Sequence, residues 1–195
     1  MATHEVTFPI TDEKEILKLR AGDEVVVQGH IIGIRDRTQI RIFDEGVEPP
    51  MDLRGAFLLH TAPGVRKLGP GKYEKVCIGT TTSARMVRFT EPLGEQYGVR
   101  GICGKGGFPD EAIEPMRKHG MVYFAIVGGA AALETTQIEE IEEVMWEELM
   151  PECLWKFRVK DFGPLTVGID AHGNSLYHDV QAAAQEKLKE LYARL

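Results

Sequence analysis

The sequence predicts an α/β fold with a mixed sheet, and two observations support this prediction. Short apolar runs rich in β-branched residues recur along the chain, and segments with helix start and stop signals separate them. The chain has 195 residues, 43% of them hydrophobic, which is enough to bury a sizeable core. Because neither an internal repeat nor a linker interrupts the chain, we expect one domain over residues 1–195.

The first half of the chain alternates predicted strands with short helices. A helix capped by Thr11 would bury Ile16, Leu17 and Leu19. Gly29 lies inside the longest predicted strand and indicates a bend or bulge there. The other predicted elements of this half are strands over residues 6–10, 25–34, 55–60 and 76–78 and a second helix over residues 38–43.

The second half continues the alternation. Pro109 followed by two acids predicts a helix start, and Gly120 after two cations predicts its end. The apolar positions between residues 138 and 149 fit helix and strand equally well. Strands are predicted over residues 121–127, 154–159 and 165–169, and a turn at residues 128–129 leads into residues 130–133. The C-terminal segment predicts an amphipathic helix, with apolar positions at Val180, Ala184, Leu188, Leu191 and Leu195.

Charge and composition argue against several classes of protein. The net charge of −7 and the pI of about 5.4 disfavour a nucleic-acid-binding surface. The longest apolar run, residues 121–133, is too short to span a bilayer. The first residues show no basic region followed by an apolar stretch, so we expect no secretory signal. Three widely separated cysteines encode neither a zinc site nor an iron–sulfur site within this chain, and free thiols fit a reducing cytoplasm.

Residues 79–107 carry the candidate site. Residues 79–86 read G-T-T-T-S-A-R-M directly after an apparent strand, which is typical of a turn that starts a helix. Unpaired backbone N–H groups at such a start bind anions, and Arg85 stands one helical turn after Thr81. The alternative is that the threonines only cap the helix and that Arg85 is solvated.

Two further cations accompany this segment. Lys105 lies among glycines, including Gly104, on a loop that would approach a ligand closely, although a simple tight turn also explains it. Arg35 and Asp36 follow the longest predicted strand, where α/β proteins commonly build sites, although a surface ion pair is the alternative. Nucleotide-binding loops are disfavoured, because Val99 and Gly106 replace the residues that a P-loop requires. A small carboxylate is therefore the favoured ligand.

Several motifs together resemble one known family, the β subunits or C-terminal domains of class I iron–sulfur fumarases and L-tartrate dehydratases. Residues 79–86 resemble its G-P-T-T-[SA]-x-R-M motif, residues 104–106 its lysine loop, and residues 35–36 its R-D motif. Residues 146–155 resemble its W-E-E-L-G-M-P-E-A-x-W stretch, and residues 159–173 resemble the strand pair that follows. The resemblance covers nearly the whole chain in the family's order.

This resemblance implies a fold and a partner. The fold would be a swivelling β/β/α three-layer domain with a mixed sheet, similar to the mobile domain of aconitases. A separate α subunit would carry a [4Fe–4S] cluster whose open iron acts as a Lewis acid, and the complex would be a hetero-oligomer such as α2β2. This chain would bind no metal itself. The reaction would be reversible hydration of a C4 dicarboxylate, with fumarate and L-malate favoured and L-tartrate or mesaconate as alternatives.

The resemblance also implies residue roles. Arg35, Arg85 and Lys105 would hold carboxylate oxygens, with Gly104 beside them. Thr81 and Thr82 would hydrogen-bond near the reacting carbon. Thr81, Arg85 and Lys105 would be the catalytic residues. The sequence departs from the family pattern at three positions, which keeps a non-catalytic dicarboxylate-binding module open as the alternative. These positions are Thr80 in place of Pro, Val87 in place of Asp and Gln39 in place of His.

Overall fold

A computed structural model describes residues 2–129 and 131–193, which form a mixed α/β structure around one large sheet. The strands are β1 (Thr3–Phe8), β2 (Glu24–Ile34), β3 (Phe57–His60), β4 (Gly64–Gly69), β5 (Lys72–Cys77), β6 (Gly101–Gly104), β7 (Val122–Ala125), β8 (Ile138–Met145) and β9 (Leu154–Ile169). The α-helices are α1 (Lys14–Leu17), α2 (Asp36–Phe43), α3 (Thr90–Tyr97), α4 (Ile113–His119), α5 (Ala131–Glu134) and α6 (Leu176–Tyr192). Short 3₁₀ helices cover Ala84–Phe89, Asp110–Ala112, Thr135–Gln137 and Glu147–Leu149.

The large sheet closes on itself. Its order is β1-β2-β3-β6-β7-β9-β8, and β2 also pairs with β9, so that five strands form a barrel-like ring. The pairs from β2 to β7 are parallel, whereas β9 runs antiparallel to both β7 and β2. The sheet is therefore mixed, as the sequence predicts. β4 and β5 form a separate two-stranded hairpin.

The alternation of side chains along each strand creates two cores. In β3, Phe57 and Leu59 point into the ring, whereas Leu58 points outward to the helices. Aromatic rings fill the interior: Phe57 lies 5.1 Å from Phe8 and 5.3 Å from Phe124, measured between ring centroids. The outer core packs α2, α3 and α4 against the strands. The helices are thereby held next to the strand ends from which the site is built.

The parallel strands place their carboxyl ends at one edge. β2 ends at Ile34, β3 at His60 and β6 at Gly104, and these strands are neighbours in the ring. The residues that follow each strand therefore meet at the same edge, which is where α/β sheets usually bind ligands. Arg35 and Lys105 are two of these residues.

Most predicted elements are confirmed, with several corrections. The ambiguous segment is strand β8, and the two strands predicted between residues 154 and 169 are one long strand, β9. Asp161, with φ of 54°, and Gly163, with φ of 137°, bend this strand without ending it. The run at residues 76–78 belongs to an exposed hairpin and its exit, because β5 pairs only with β4 among the described strands.

Helices form near residues 14–17, 36–43, 113–119 and 176–192, but Thr11 does not cap the first of them, because Glu13 is its N-cap residue. Ile16 and Leu19 are fully buried as predicted, but Leu17 is 36% exposed, so its predicted burial is wrong. The C-terminal amphipathic helix is α6, although Val180, Leu188 and Leu191 are exposed. Ala130 and Leu195 lie outside the described residues. Among the helices that the structure describes, none combines the length and apolar character needed to cross a membrane.

Candidate functional site

A sharp turn between β2 and α2 delivers Arg35 and Asp36 to the carboxyl edge. Arg35 has an extended backbone, with φ of −149°, and Asp36 begins the helix. The Thr38 hydroxyl accepts the Arg35 N–H at 2.9 Å and donates to the Arg35 carbonyl at 3.0 Å. This local cap fixes the turn, so both charged side chains leave the edge of the sheet at a defined place.

Asp36 joins two of the predicted cations. Arg85 binds it in a bidentate fork, with Nε 2.7 Å from Oδ1 and Nη2 2.7 Å from Oδ2. The Nε of Arg35 lies 3.3 Å from Asp36 Oδ2 and 3.4 Å from Oε1 of Glu152. Burial opposes ionisation of Asp36, but the hydrogen bonds and charge of Arg85 outweigh it and hold the pKa of Asp36 below its ordinary value. The R-D pair is therefore more than a surface ion pair, because its acid orients a second guanidinium.

The threonine segment is extended and does not start an α-helix. The Thr81 N–H donates to the His60 carbonyl at 2.8 Å, and the Lys105 N–H donates to the Thr81 carbonyl at 3.1 Å. The Ser83 N–H donates to the Lys105 carbonyl at 3.4 Å. A 3₁₀ helix begins only at Ala84. The prediction of free backbone donors is therefore wrong at Thr81 and Ser83, because the carbonyls of His60 and Lys105 already accept those N–H groups.

Arg85 contacts the threonines as predicted, although the segment that carries them is extended and not helical. Its Nη2 donates to the Thr81 hydroxyl at 3.1 Å, and its Nη1 donates to the Thr82 carbonyl at 3.1 Å. With the fork to Asp36, these bonds use four of the five N–H groups of the guanidinium. Arg85 is thus held in one orientation, although 42% of its side chain remains exposed to solvent.

The lysine loop lies against the same segment. Lys105 pairs with Thr82 in an isolated parallel bridge directly after the end of β6. A side chain on Gly104 would place its Cβ 1.9 Å from the Ser83 Oγ, so this glycine serves close packing between the two segments. A Cβ at Gly128 would lie 3.0 Å from Lys105 Cδ, so the lysine side chain runs across that turn.

Contacts therefore connect the predicted site residues, through side chains for Arg35 and Arg85 and through the backbone for Lys105. The path runs from Arg35 through Asp36 to Arg85, and from Arg85 through Thr81 and Thr82 to Lys105. The site faces solvent as an open surface, since the side chain of Arg35 is 29% exposed and that of Arg85 is 42% exposed. It presents cations on a protein of net charge −7. Two carboxylates of the chain, Asp36 and Glu152, pair with these guanidinium groups and offset part of the positive charge.

Sequence reasoning missed the residues that support this surface from below. His60, at the end of β3, is buried and contacts the Ser83 hydroxyl through Nδ1 at 2.9 Å. Burial lowers the pKa of His60 to about 3, with the nearby charge of Arg85 adding to this and that of Asp36 opposing it. The imidazole is therefore neutral at physiological pH. A lone histidine inside an apolar strand gives no pattern that would reveal this position.

The three departures from the family motifs have defined surroundings. The Thr80 hydroxyl donates to the His60 carbonyl at 3.1 Å and so anchors the turn where proline is usual. Gln39 is fully buried, and its amide nitrogen lies 3.0 Å from the sulfur of Met86. Its Oε1 lacks a hydrogen-bond partner within the described chain. Val87 is partly buried and packs against the outer core.

The cysteines are not arranged to hold a metal. Cys77 is exposed on the hairpin, whereas Cys103 and Cys153 are buried in the inner core. Burial raises the pKa of the Cys103 thiol well above its ordinary value and that of Cys153 to about 11. Across residues 2–129 and 131–193, no three side chains of His, Cys, Asp or Glu are grouped so that they could hold a metal ion.

Comparison with known proteins gives one consistent set of relatives. The sequence profile of the family described as fumarase C-terminus matches residues 2–180. The chain is 43% identical to the L(+)-tartrate dehydratase subunit beta of Escherichia coli (strain K12) over 172 residues, which cover 88% of this chain and 85% of that protein. It is 36% identical to the putative L(+)-tartrate dehydratase subunit beta of Methanocaldococcus jannaschii over 192 residues, covering 96% and 98% of the two chains.

A longer relative matches over part of its length. The putative fumarate hydratase class I of Geobacillus stearothermophilus is 36% identical over 183 residues, which cover 93% of this chain but 35% of that protein. The match therefore accounts for about a third of the longer protein.

Proposed function

This chain belongs to the fumarase C-terminus family, and from that membership we propose that it is the β subunit of a hydro-lyase acting on a C4 dicarboxylate. Its relatives are named as a tartrate dehydratase subunit beta and a class I fumarate hydratase. The chain would supply the carboxylate-binding surface of an enzyme completed by a second subunit.

One observation carries this proposal. Arg35, Arg85 and Lys105 come from three separate parts of the sequence, yet a short path of contacts joins them at one edge of the sheet. A dicarboxylate carries two negative charges, and elimination next to a carboxylate places further charge on it. Fixed guanidinium and ammonium groups in a covered site stabilise that charge more strongly in the transition state than in the ground state.

The residues of this chain would bind and orient the acid. One N–H group of Arg85 is unused by the protein, and it would donate to a carboxylate oxygen along a direction that Asp36 fixes. Arg35 and Lys105 would hold the other carboxylate oxygens. The Thr81 hydroxyl, 3.1 Å from Arg85, would lie beside the reacting carbon. Thr81 is a weak base alone, so the adjacent guanidinium would have to stabilise its deprotonated form.

The partner would be an α subunit that holds a [4Fe–4S] cluster. The buried, protonated thiols of Cys103 and Cys153 do not fit cluster ligation, which supports placing the cluster on the other chain. When bound there, the cluster would supply a Lewis acid for the substrate hydroxyl. We further propose that this chain is one mobile β/β/α domain of the aconitase type, that the complex is α2β2, and that it works in the reducing cytoplasm, where its unpaired thiols persist.

The substrate is proposed from the charge pattern and the relatives. Three cations spread over one open face suit two carboxylates, as in fumarate and L-malate. The identities of 43% and 36% to tartrate dehydratase β subunits favour L-tartrate as the second candidate, and mesaconate would need room for one methyl group.

Reconstitution tests this proposal. The chain would be combined anaerobically with the α subunit and assayed for dehydration of L-malate, L-tartrate and 2-methylmalate. Turnover that requires both chains supports the proposal. Tight dicarboxylate binding by this chain, without turnover by an iron-loaded complex, would instead support the non-catalytic carboxylate-binding module.

A further inference from the structure

A chain of buried hydrogen bonds runs beneath the site and ends at the lysine loop. The Nδ1 of His60 lies 2.9 Å from the Ser83 Oγ, and the Ser83 Oγ lies 3.1 Å from the Tyr123 hydroxyl. The Tyr123 hydroxyl lies 3.1 Å from the carbonyl of Gly106, the residue after Lys105. All three side chains belong to buried residues. Such a chain is rigid, because water does not compete for its bonds.

The direction of these bonds follows from counting protons. The Gly106 carbonyl can only accept a hydrogen bond, so the bond to it uses the single proton of the Tyr123 hydroxyl. Ser83 then donates to the Tyr123 oxygen, and His60 donates from Nδ1 to Ser83. This leaves Nε2 of His60 unprotonated, with a lone pair that could accept a hydrogen bond. Within the described residues, that nitrogen has no hydrogen-bond partner. The reverse direction would leave a buried N–H unpaired, which costs more than an unpaired acceptor.

His60 is hydrogen-bonded to the threonine segment directly and to the lysine loop through other side chains. Its carbonyl accepts the Thr81 N–H at 2.8 Å and the Thr80 hydroxyl at 3.1 Å. Its imidazole reaches the lysine loop through Ser83 and Tyr123. A shift in any member of the chain would therefore move the threonine segment relative to the loop.

We propose that His60, Ser83 and Tyr123 are positioning residues that set the place of the Lys105 ammonium relative to the Thr81 hydroxyl. This inference rests on the proposed function, since that function gives Lys105 its role. None of the three touches substrate in this scheme.

A matched pair of tyrosine variants tests the proposal in the complex of both subunits. Tyr123→Phe removes the hydroxyl but keeps the ring stacked on Phe108, whose centroid is 4.6 Å away. Tyr177→Phe removes the other hydroxyl that donates to Gly106, at 3.2 Å, and leaves the chain intact. We expect Tyr123→Phe to lower kcat by about tenfold to 100-fold with little change in KM, since misplacing a catalytic group has effects of that order. Tyr177→Phe should lower kcat by less than about threefold, because the positioning chain survives.

A double-mutant cycle separates positioning from general destabilisation. If the chain acts through Lys105, Tyr123→Phe should cause no further loss of kcat in a Lys105→Ala background. Equal losses in the two tyrosine variants, or losses at Tyr123 and Lys105 that simply multiply, would overturn the proposal.

Two measurements on the full chain alone need no activity. Nitrogen-15 NMR of the histidine rings should show His60 as the neutral tautomer protonated on Nδ1. Amide hydrogen exchange over residues 104–107 should speed up by at least about fivefold in Tyr123→Phe and remain unchanged in Tyr177→Phe. A proton on Nε2, or unchanged exchange in Tyr123→Phe, would overturn the positioning role even if the complex proved inactive for other reasons.

Discussion

Arg85→Ala is the substitution with the largest expected effect on catalysis. The change removes four hydrogen bonds, two to Asp36 and one each to Thr81 and Thr82, together with the donor assigned to substrate. Because 42% of the side chain is exposed, its ion pair contributes at most about 1 kcal/mol to folding. In a covered site, losing such a donor costs about 3–4 kcal/mol of transition-state stabilisation, or about 100-fold to 1000-fold in kcat.

Steady-state kinetics of the reconstituted complex measures this loss, and Arg88→Ala is its control. Arg88 lies in the same 3₁₀ helix and forms a similar fork, at 2.9 and 2.6 Å, with Asp44. The ion pair of Arg88 and Asp44 is exposed, and neither residue is hydrogen-bonded to a residue of the site in the part of the chain that the structure describes. Arg88→Ala should therefore leave kcat within about twofold of wild type, as expected of surface changes. Loss of less than about fivefold in Arg85→Ala, or equal losses in both variants, would refute the assignment of Arg85.

Three further substitutions probe the same surface. Lys105→Ala should lower kcat/KM by about 100-fold in the complex while leaving the melting temperature of the chain nearly unchanged, and undiminished activity would remove Lys105 from the site. Gly104→Ala should destabilise the chain by about 1–3 kcal/mol in urea titrations, because its Cβ would lie 1.9 Å from the Ser83 Oγ, and an unchanged midpoint would show that the two segments are not packed as described. Since Arg85 holds the pKa of Asp36 below its ordinary value of 3.8, despite burial, the Asp36 carboxylate contributes stability above about pH 4 that is lost as the pH falls through its folded pKa. In Asp36→Asn, the free energy of unfolding should therefore fall less between pH 6 and pH 3 than in the wild type. Identical urea midpoints at pH 6 and pH 3 for the wild type would contradict this prediction.

The sequence predicts the single helices and strands of this fold better than it predicts the closure of the sheet into a ring. The stop signal of α4 is correct because Gly120, with φ of 62°, acts through its own backbone. The start signal at Pro109 precedes the 3₁₀ helix Asp110–Ala112, and α4 itself begins at Ile113. The closure of the ring depends on β9 pairing with β2 and β7 at once, over long sequence separations. No pattern within β9 encodes that pairing, so two separate strands were the natural prediction.

In the site too, contacts between residues close in sequence are predicted, whereas contacts between residues far apart in sequence are not. The sequence predicts contact between Arg85 and Thr81, which are four residues apart, although the helix assumed for that prediction begins only at Ala84. The bridge from Asp36 to Arg85 joins residues 49 positions apart, and it exists because Thr81 bonds to His60 at the end of β3, the strand beside β2. At the threonine backbone, the local prediction fails because of distant contacts. The sequence predicts a helix start with free N–H groups, but the N–H groups of Thr81 and Ser83 donate to the carbonyls of His60 and Lys105.

The supporting residues were hidden for a chemical reason. His60, Ser83 and Tyr123 are common residue types that single sequences cannot distinguish from ordinary core or cap positions. Their significance appears only when burial and the bond lengths between them are known.

A crystal structure of this chain with its α subunit and bound L-tartrate or L-malate tests the central claim most directly. We expect the two carboxylates of the acid to lie within hydrogen-bond distance of Arg35, Arg85 and Lys105, with the Thr81 hydroxyl beside the reacting carbon. An acid bound by the partner alone, with those three cations facing solvent, would contradict the claim.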